Sequence, residues 1–110
     1  MSADAAAAEA LLLVERLNAL LDALAVRGLR AAGSEERARL SSLRDALAQI
    51  GAEHLRDGLA QLLTDLDAGR REAARTLLRT RASVRVFERL LSLHIVRAEL
   101  ATAVREAEGA

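Results

Sequence analysis

Two histidines are the residues of this chain best suited to chemistry, because an imidazole can bind a metal or carry a proton near neutral pH. His54 and His94 each follow an apolar residue at a spacing of three or four, so each continues a helical apolar seam. If the second and third helical segments fold back on each other at Gly69, helical rise separates the two imidazoles by roughly 15 Å along the helix axis. We therefore predict two packed helix residues, with His94 near a carboxylate such as Asp45, and no shared metal or haem site.

The remaining residue types give no catalytic pattern. The Glu-x-x-His pairs of carboxylate metal sites in helical bundles are absent, and the adjacent side chains of Glu53 and His54 point about 100° apart. No serine lies in a Gly-x-Ser-x-Gly turn, no glycine-rich phosphate loop occurs, and the chain has no lysine and no cysteine. We predict a protein that is not an enzyme and needs no cofactor or metal.

Composition favours helices throughout. The 110 residues lack proline, tryptophan and tyrosine and are dominated by leucine, alanine and arginine, which are strong helix formers. Sixteen basic and sixteen acidic residues cancel, so no overall field draws the protein to nucleic acid or to a membrane. All the basic residues are arginine, which is typical of a GC-rich bacterial genome.

The amino-terminal apolar run does not have the pattern of a targeting segment. No basic residue precedes Leu11–Val14, and Glu15 and Arg16 follow directly. This pattern predicts neither a signal peptide nor a membrane span. Together with the absence of cysteine it predicts a cytoplasmic location.

Glycines supply the predicted helix ends. A helix stop at Gly33 is followed by Ser34 as an N-cap and two acids, and Gly69 marks a second break. We predict one all-α domain over residues 1–110, an antiparallel bundle of three long helices at roughly 4–31, 35–67 and 70–107. The apolar spacing slips by five residues beside Gly51, so the middle helix is either continuous with a rotated stripe or broken there to give four helices.

The third predicted helix is apolar on two sides. One heptad-like seam, which includes Leu77, Val84, Leu91 and His94, would face the core. The opposite side carries a thinner stripe, and its residues are Leu78, Val86, Leu93 and Val96. Such a helix, about 57 Å long, exceeds what a compact domain of this size needs. We therefore predict a homo-oligomer, most simply a dimer. Its predicted function is that of a protein-protein interaction or assembly module, such as an adaptor, a chaperone-like protein or a structural component. We expect it to bind an unidentified partner protein through this stripe.

The same helix concentrates positive charge. Residues 70–110 carry nine arginines against five acids, whereas residues 34–69 carry four against seven. Helical geometry places the predicted basic face within an arc of about 180° away from the core seam; its residues are Arg71, Arg75, Arg79, Arg81, Arg85 and Arg89.

Two interpretations of this basic face remain open. In the first, it pairs with the acidic middle segment, bringing Asp65 near Arg75, and Glu53 and Asp57 near Arg81 and Arg85. In the second, the arginines bind the phosphates of nucleic acid. The first is favoured, because missing aromatic residues remove base stacking and zero net charge weakens electrostatic attraction.

Residues 52–63, AEHLRDGLAQLL, resemble the phosphoacceptor helix of one class of bacterial histidine kinase dimerisation domains, where a Leu-His-Asp-Gly-Leu-x-Gln core is usual. Arg56 stands where the phosphorylated histidine of that family would be. His54 is similarly placed to a histidine phosphotransfer motif, with Gly58 four residues on, but Asp57 replaces the expected basic residue. The resemblance covers a dozen residues and implies a dimerisation or phosphotransfer domain that has degenerated and lost phosphotransfer.

Overall fold

Proline-free stretches of leucine, alanine and arginine form four α-helices in the computed structural model. It describes residues 3–109, without the side chains of residues 3, 4 and 31. The helices are α1 (Ala3–Arg27), α2 (Ser34–Gln49), α3 (Glu53–Asp67) and α4 (Glu72–Gly109), with a short 3-10 turn at Leu29–Ala31. The described range contains no strand. None of these helices combines the length and the apolarity that crossing a membrane requires.

Gly51 breaks the middle segment, so the three-helix prediction is wrong and its four-helix alternative is confirmed. Gly51 has a φ of 77°, a conformation that side chains with a Cβ disfavour. Its N–H donates to the carbonyl of Ala48 at 3.1 Å, and the N–H of Ala52 donates to the carbonyl of Leu47 at 2.9 Å. This paired arrangement closes the last turn of α2 and redirects the chain.

Gly69 ends α3 in the same way. Its φ is 64°, its N–H donates to the carbonyl of Leu66 at 3.2 Å, and the N–H of Arg70 donates to the carbonyl of Asp65 at 2.9 Å. The chain therefore reverses at Gly69, between α3 and α4, as the sequence predicts.

The first boundary differs from the prediction. α1 ends at Arg27 instead of residue 31, because Gly28 adopts a φ of 88° and the following residues form the 3-10 turn. Ser34 is the first residue of α2 and not its N-cap. The cap position is Gly33, whose N–H donates to the carboxylate of Glu36 at 3.1 Å.

One continuous core joins the four helices. Leucine and valine side chains dominate it, and those with no measurable or almost no exposure are Val14, Leu17, Leu21, Leu24, Leu40, Leu47, Leu55, Leu59, Leu62 and Val84. The core residues of α1 and α3 are spaced three or four apart and those of α2 seven apart, and both spacings place residues on one helical face.

Polar contacts fix how α4 lies against its neighbours. Against α3, Thr76 contacts Asp65 and Ser83 contacts His54, so the two helices run in opposite directions there. Against α1, Arg81 donates to Asp22 at 2.7 Å, and Asn18 donates to Glu88 at 2.7 Å. α1 and α4 therefore also run in opposite directions.

Unequal helix lengths give the molecule the shape of a rod. Its extents are 61 × 23 × 20 Å and its radius of gyration is 16.7 Å, whereas a compact chain of this length has a radius near 13 Å. α4 has 38 residues, but α2 and α3 have 16 and 15. The far half of α4 therefore extends beyond α2 and α3, while α1 continues beside it.

Candidate interaction surface on α4

The exposed side of α4 is unusually apolar. All four residues of the predicted stripe are exposed: Leu78, Val86, Leu93 and Val96. Three further large apolar side chains, Leu90, Leu100 and Val104, are exposed by 60%, 60% and 53%. Single exposed leucines are ordinary on protein surfaces, but a group of this size on one helix marks a surface suited to binding.

Six of the residues on this side form a heptad-like row, which we call the α4 seam. Its members are Val86, Leu90, Leu93, Arg97, Leu100 and Val104, at successive spacings of four, three, four, three and four. This 3.5-residue period is the pattern of a helix that packs along a second helix. Arg97 is its single polar member. Val96 flanks the seam, and Leu78 lies off it, two turns before Val86.

The sequence interpretation missed Leu90, Leu100 and Val104. The predicted stripe was defined only by lying on the far side of the helix, and its four residues do not repeat with a constant period. The alternation of four and three from Val86 to Val104 was the signal that could have found them.

The core side of α4 becomes exposed along its length. Among the described residues of α4, Val84 is the last that is buried; Phe87 and Leu91 are half-buried, and His94 and Ala101 are exposed. The predicted core seam is therefore wrong at His94 and Ala101, whereas Ala98, also part of that seam, is half-buried. The physical reason is that α2 and α3 end before they reach this part of α4.

An apolar groove between α3 and α4 adjoins the α4 seam. It measures about 610 Å³ and is lined by the α2–α3 turn, the start of α3 and one side of α4, including Leu55, Val86, Phe87 and Leu90. Val86 and Leu90 belong to both the groove and the α4 seam, so the two form one surface. Glu53 and His54 supply polar groups to the groove.

The two histidines do not form a site together. Both are exposed, which corrects the prediction that they are packed. The Nε2 atom of His54 lies 3.4 Å from the Oγ atom of Ser83, at the long limit of a hydrogen bond. The nearby carboxylate of Asp57 accepts instead from Arg56 at 2.6 Å, so it does not orient the imidazole. Among the described residues, no group of three potential ligands could hold a metal ion.

The arginines of the predicted basic face have different partners from those expected. Arg81 is only 22% exposed at its side chain and donates to Asp22 of α1, and Arg85 lies 3.8 Å from the same carboxylate. Asp65 pairs with Arg70 at 3.6 Å, not with Arg75. The other members of the face, Arg71, Arg75, Arg79 and Arg89, are exposed.

Asp65 is the one buried carboxylate in the described part of the chain. It accepts a hydrogen bond from the Thr76 hydroxyl at 2.8 Å and another from the Gln61 amide at 2.9 Å. The Thr76 hydrogen bond holds the pKa of Asp65 below its usual value; burial opposes this, and Gln61 and the charges of Arg70 and Arg79 reinforce it. A carboxylate so fully engaged ties α3 to α4 and is poorly suited to catalysis.

Comparison with known proteins assigns no family. No protein-family model matches the chain, and no curated protein or solved structure matches it either. The local resemblance to histidine kinases gains no support from the geometry. Arg56, at the position of the phosphoacceptor, is half-buried at the start of α3 and paired with its neighbour Asp57.

Proposed function

We propose that this protein is a non-catalytic assembly module, an antiparallel four-helix bundle that self-associates through the α4 seam. The observation that carries the proposal is the 3.5-residue apolar row on a helix that outreaches α2 and α3. A helix with a second apolar side and no neighbour on that side among the described residues is suited to a neighbour from another chain.

The energies support weak association. Burying the exposed half of five apolar seam side chains on each of two chains contributes on the order of 10 kcal/mol. The cost of lost translation and rotation is roughly 4–15 kcal/mol, so a cost at the low end of this range leaves a surplus of about 6 kcal/mol. We therefore expect a dissociation constant of tens of micromolar or higher.

A charge introduced into the α4 seam tests the proposal. We expect Leu90→Asp to convert a dimer into a monomer, because an aspartate cannot be buried unpaired in an apolar interface. Light scattering coupled to gel filtration would measure the mass, and circular dichroism would show that the helices persist. Leu78→Asp is the matched control, since Leu78 is exposed by 61% but lies off the seam. Equal masses for both variants and the parent would contradict the proposal.

Nucleic-acid binding is the second candidate function. Arg71, Arg75, Arg79 and Arg89 are exposed and have no ion-pair partner among the described residues, so less of the basic face is neutralised than expected. Phosphate binding would fall steeply with added salt. Electrophoretic mobility shift at two salt concentrations, with an Arg75/Arg79/Arg89 triple alanine variant as control, tests it. Retardation that is salt-sensitive and absent in the variant would support this candidate.

A further inference from the structure

We infer that a second copy of this chain covers the α4 seam in antiparallel orientation, with the two-fold axis level with Ile95. The inference rests on the proposed function and adds to it the identity of the partner, its direction and its register. Rotation about this axis pairs every seam position of one copy with a seam position of the other. The pairs are Val86 with Val104, Leu90 with Leu100, and Leu93 with Arg97.

Arg97 determines the direction. In a parallel, in-register dimer, residues at equivalent seam positions face each other, so two Arg97 guanidinium groups would meet at the interface. Bringing like charges together in a partly dry interface is unfavourable. In the antiparallel dimer Arg97 lies opposite Leu93, where its methylene stem can pack while the guanidinium reaches water.

The lengths of the helices leave room for this partner. The α2–α3 turn lies level with Val86 and Leu90, since these residues line one groove with Gly51 and Ala52. α4 continues to Gly109, and a groove against α1 lined by Ala8, Ile95 and Thr102 shows that α1 accompanies it on one side. On the side that carries the α4 seam, no element of the described chain covers α4 beyond the level of the α2–α3 turn. A second copy would supply the missing helix.

The apolar groove beside α3 fits the end of the partner helix. In the antiparallel register, Leu100 and Val104 of one copy lie over Leu90 and Val86 of the other, which line that groove. The α4 seam is about 27 Å long and one helix width, about 10 Å, across, and the groove adds a second helix width over roughly 12 Å, as far as Leu90. Two such faces bury on the order of 800 Å², the size of a weak, transient interface.

Charges at the edge of the groove also match. The register places Arg105 of one copy level with Arg85 of the other, and the His54–Ser83 contact puts the first turn of α3 at that level. Glu53 is exposed there and has no ion-pair partner among the described residues. The dimer therefore contains two Arg105–Glu53 ion pairs between copies, related by the two-fold axis.

Distances between spin labels test the orientation directly, because the chain has no cysteine and a single introduced one is labelled alone. We expect Arg85→Cys to give an axial separation of about 30 Å between copies and Ala74→Cys about 63 Å, from a rise of 1.5 Å per residue on each side of the axis. Both positions lie on one side of α4 and off the seam, so their lateral offsets are similar. Double electron-electron resonance measures both separations.

The outcomes separate the two proposals. Similar short distances at both positions would show a parallel dimer and overturn the antiparallel inference while self-association stands. Absence of dipolar coupling together with a monomer mass would overturn self-association itself.

A charge exchange tests the register independently. We expect Arg105→Glu alone, or Glu53→Arg alone, to weaken dimerisation about tenfold, because each creates two like-charge contacts. The double variant should restore the dissociation constant to near that of the parent. Sedimentation velocity measures the dissociation constants. If the free-energy changes of the two single variants simply add in the double variant, the pairing is contradicted.

Discussion

At the scale of single residues, Asp65 shows how a charged side chain becomes part of a leucine core. It lies 2% exposed on α3 and faces the first turns of α4, and its oxygens accept hydrogen bonds from Thr76 of α4 and Gln61 of α3. Sequence periodicity could not predict this, because Thr76 reaches Asp65 only after the chain reverses at Gly69. A buried carboxylate is tolerated only when hydrogen bonds replace the water that it loses.

Removing the Thr76 hydroxyl tests the importance of this contact. We expect Thr76→Val to lower the melting temperature by several degrees, because the substitution keeps the shape but leaves a buried carboxylate short of one donor. Thermal unfolding followed by circular dichroism measures the change. Thr102→Val is the matched control, since Thr102 is exposed on the same helix and donates only to a backbone carbonyl. A Thr76→Val variant as stable as this control would contradict the account.

Acid should weaken the fold through the same residue. The pKa of Asp65 is lowered in the folded protein, chiefly by the Thr76 hydrogen bond, so the folded state favours the ionised form. Its contribution to stability is complete above the ordinary carboxyl pKa near 4 and is lost as pH falls through the lowered value. We expect urea unfolding to show a loss of stability below about pH 4 that is smaller in Thr76→Val. An identical acid dependence in both proteins would show that the contact does not hold the pKa down.

At the scale of elements, glycines decide where the helices end. The position of the breaks at Gly51 and Gly69 could be predicted from the sequence, because a helix stop needs a residue that accepts a positive φ. The end of α1 could not, since the residues after Gly28 continue a helix-forming composition. Likewise, periodicity identified both apolar sides of α4, but not how far α2 and α3 extend along it.

The sign of one substitution distinguishes a broken helix from a continuous one. Gly51→Ala should reduce the free energy of unfolding by about 1 kcal/mol, because alanine is strained at the φ of 77° that Gly51 adopts. In a continuous helix the same change would increase stability by about 0.5–1 kcal/mol. Chemical denaturation measures the difference, and Gly109→Ala, at the exposed end of α4, serves as the control. A stabilised Gly51→Ala variant would disprove the break.

At the scale of the whole molecule, the rod is a bundle that is complete at one end, whereas at the other end α1 is the only described helix that accompanies α4. Around the near half of α4 the core is closed by α1, α2 and α3. Around the far half, the α4 seam lies open beside the apolar groove. The proposed self-association would convert this open end into a helical interface and would give the 38-residue helix α4 a role in this chain of 110 residues.

Arg97 should limit the strength of the assembly while fixing its direction. We expect Arg97→Leu to tighten self-association at least tenfold, because a fully apolar seam no longer has to place a guanidinium beside Leu93. The same variant should lose its preference for the antiparallel dimer, giving mixed distances in the spin-label measurement. Arg89→Leu, outside the seam, is the control. Weaker association of Arg97→Leu would show that the guanidinium makes a favourable contact that the proposed pairing lacks.

Sedimentation equilibrium of the unmodified protein, from about ten to several hundred micromolar, decides whether the α4 seam binds a second copy. We expect a mass that rises with concentration to twice the 11.8 kDa of one chain and stops there. A mass of 11.8 kDa at every concentration would contradict it.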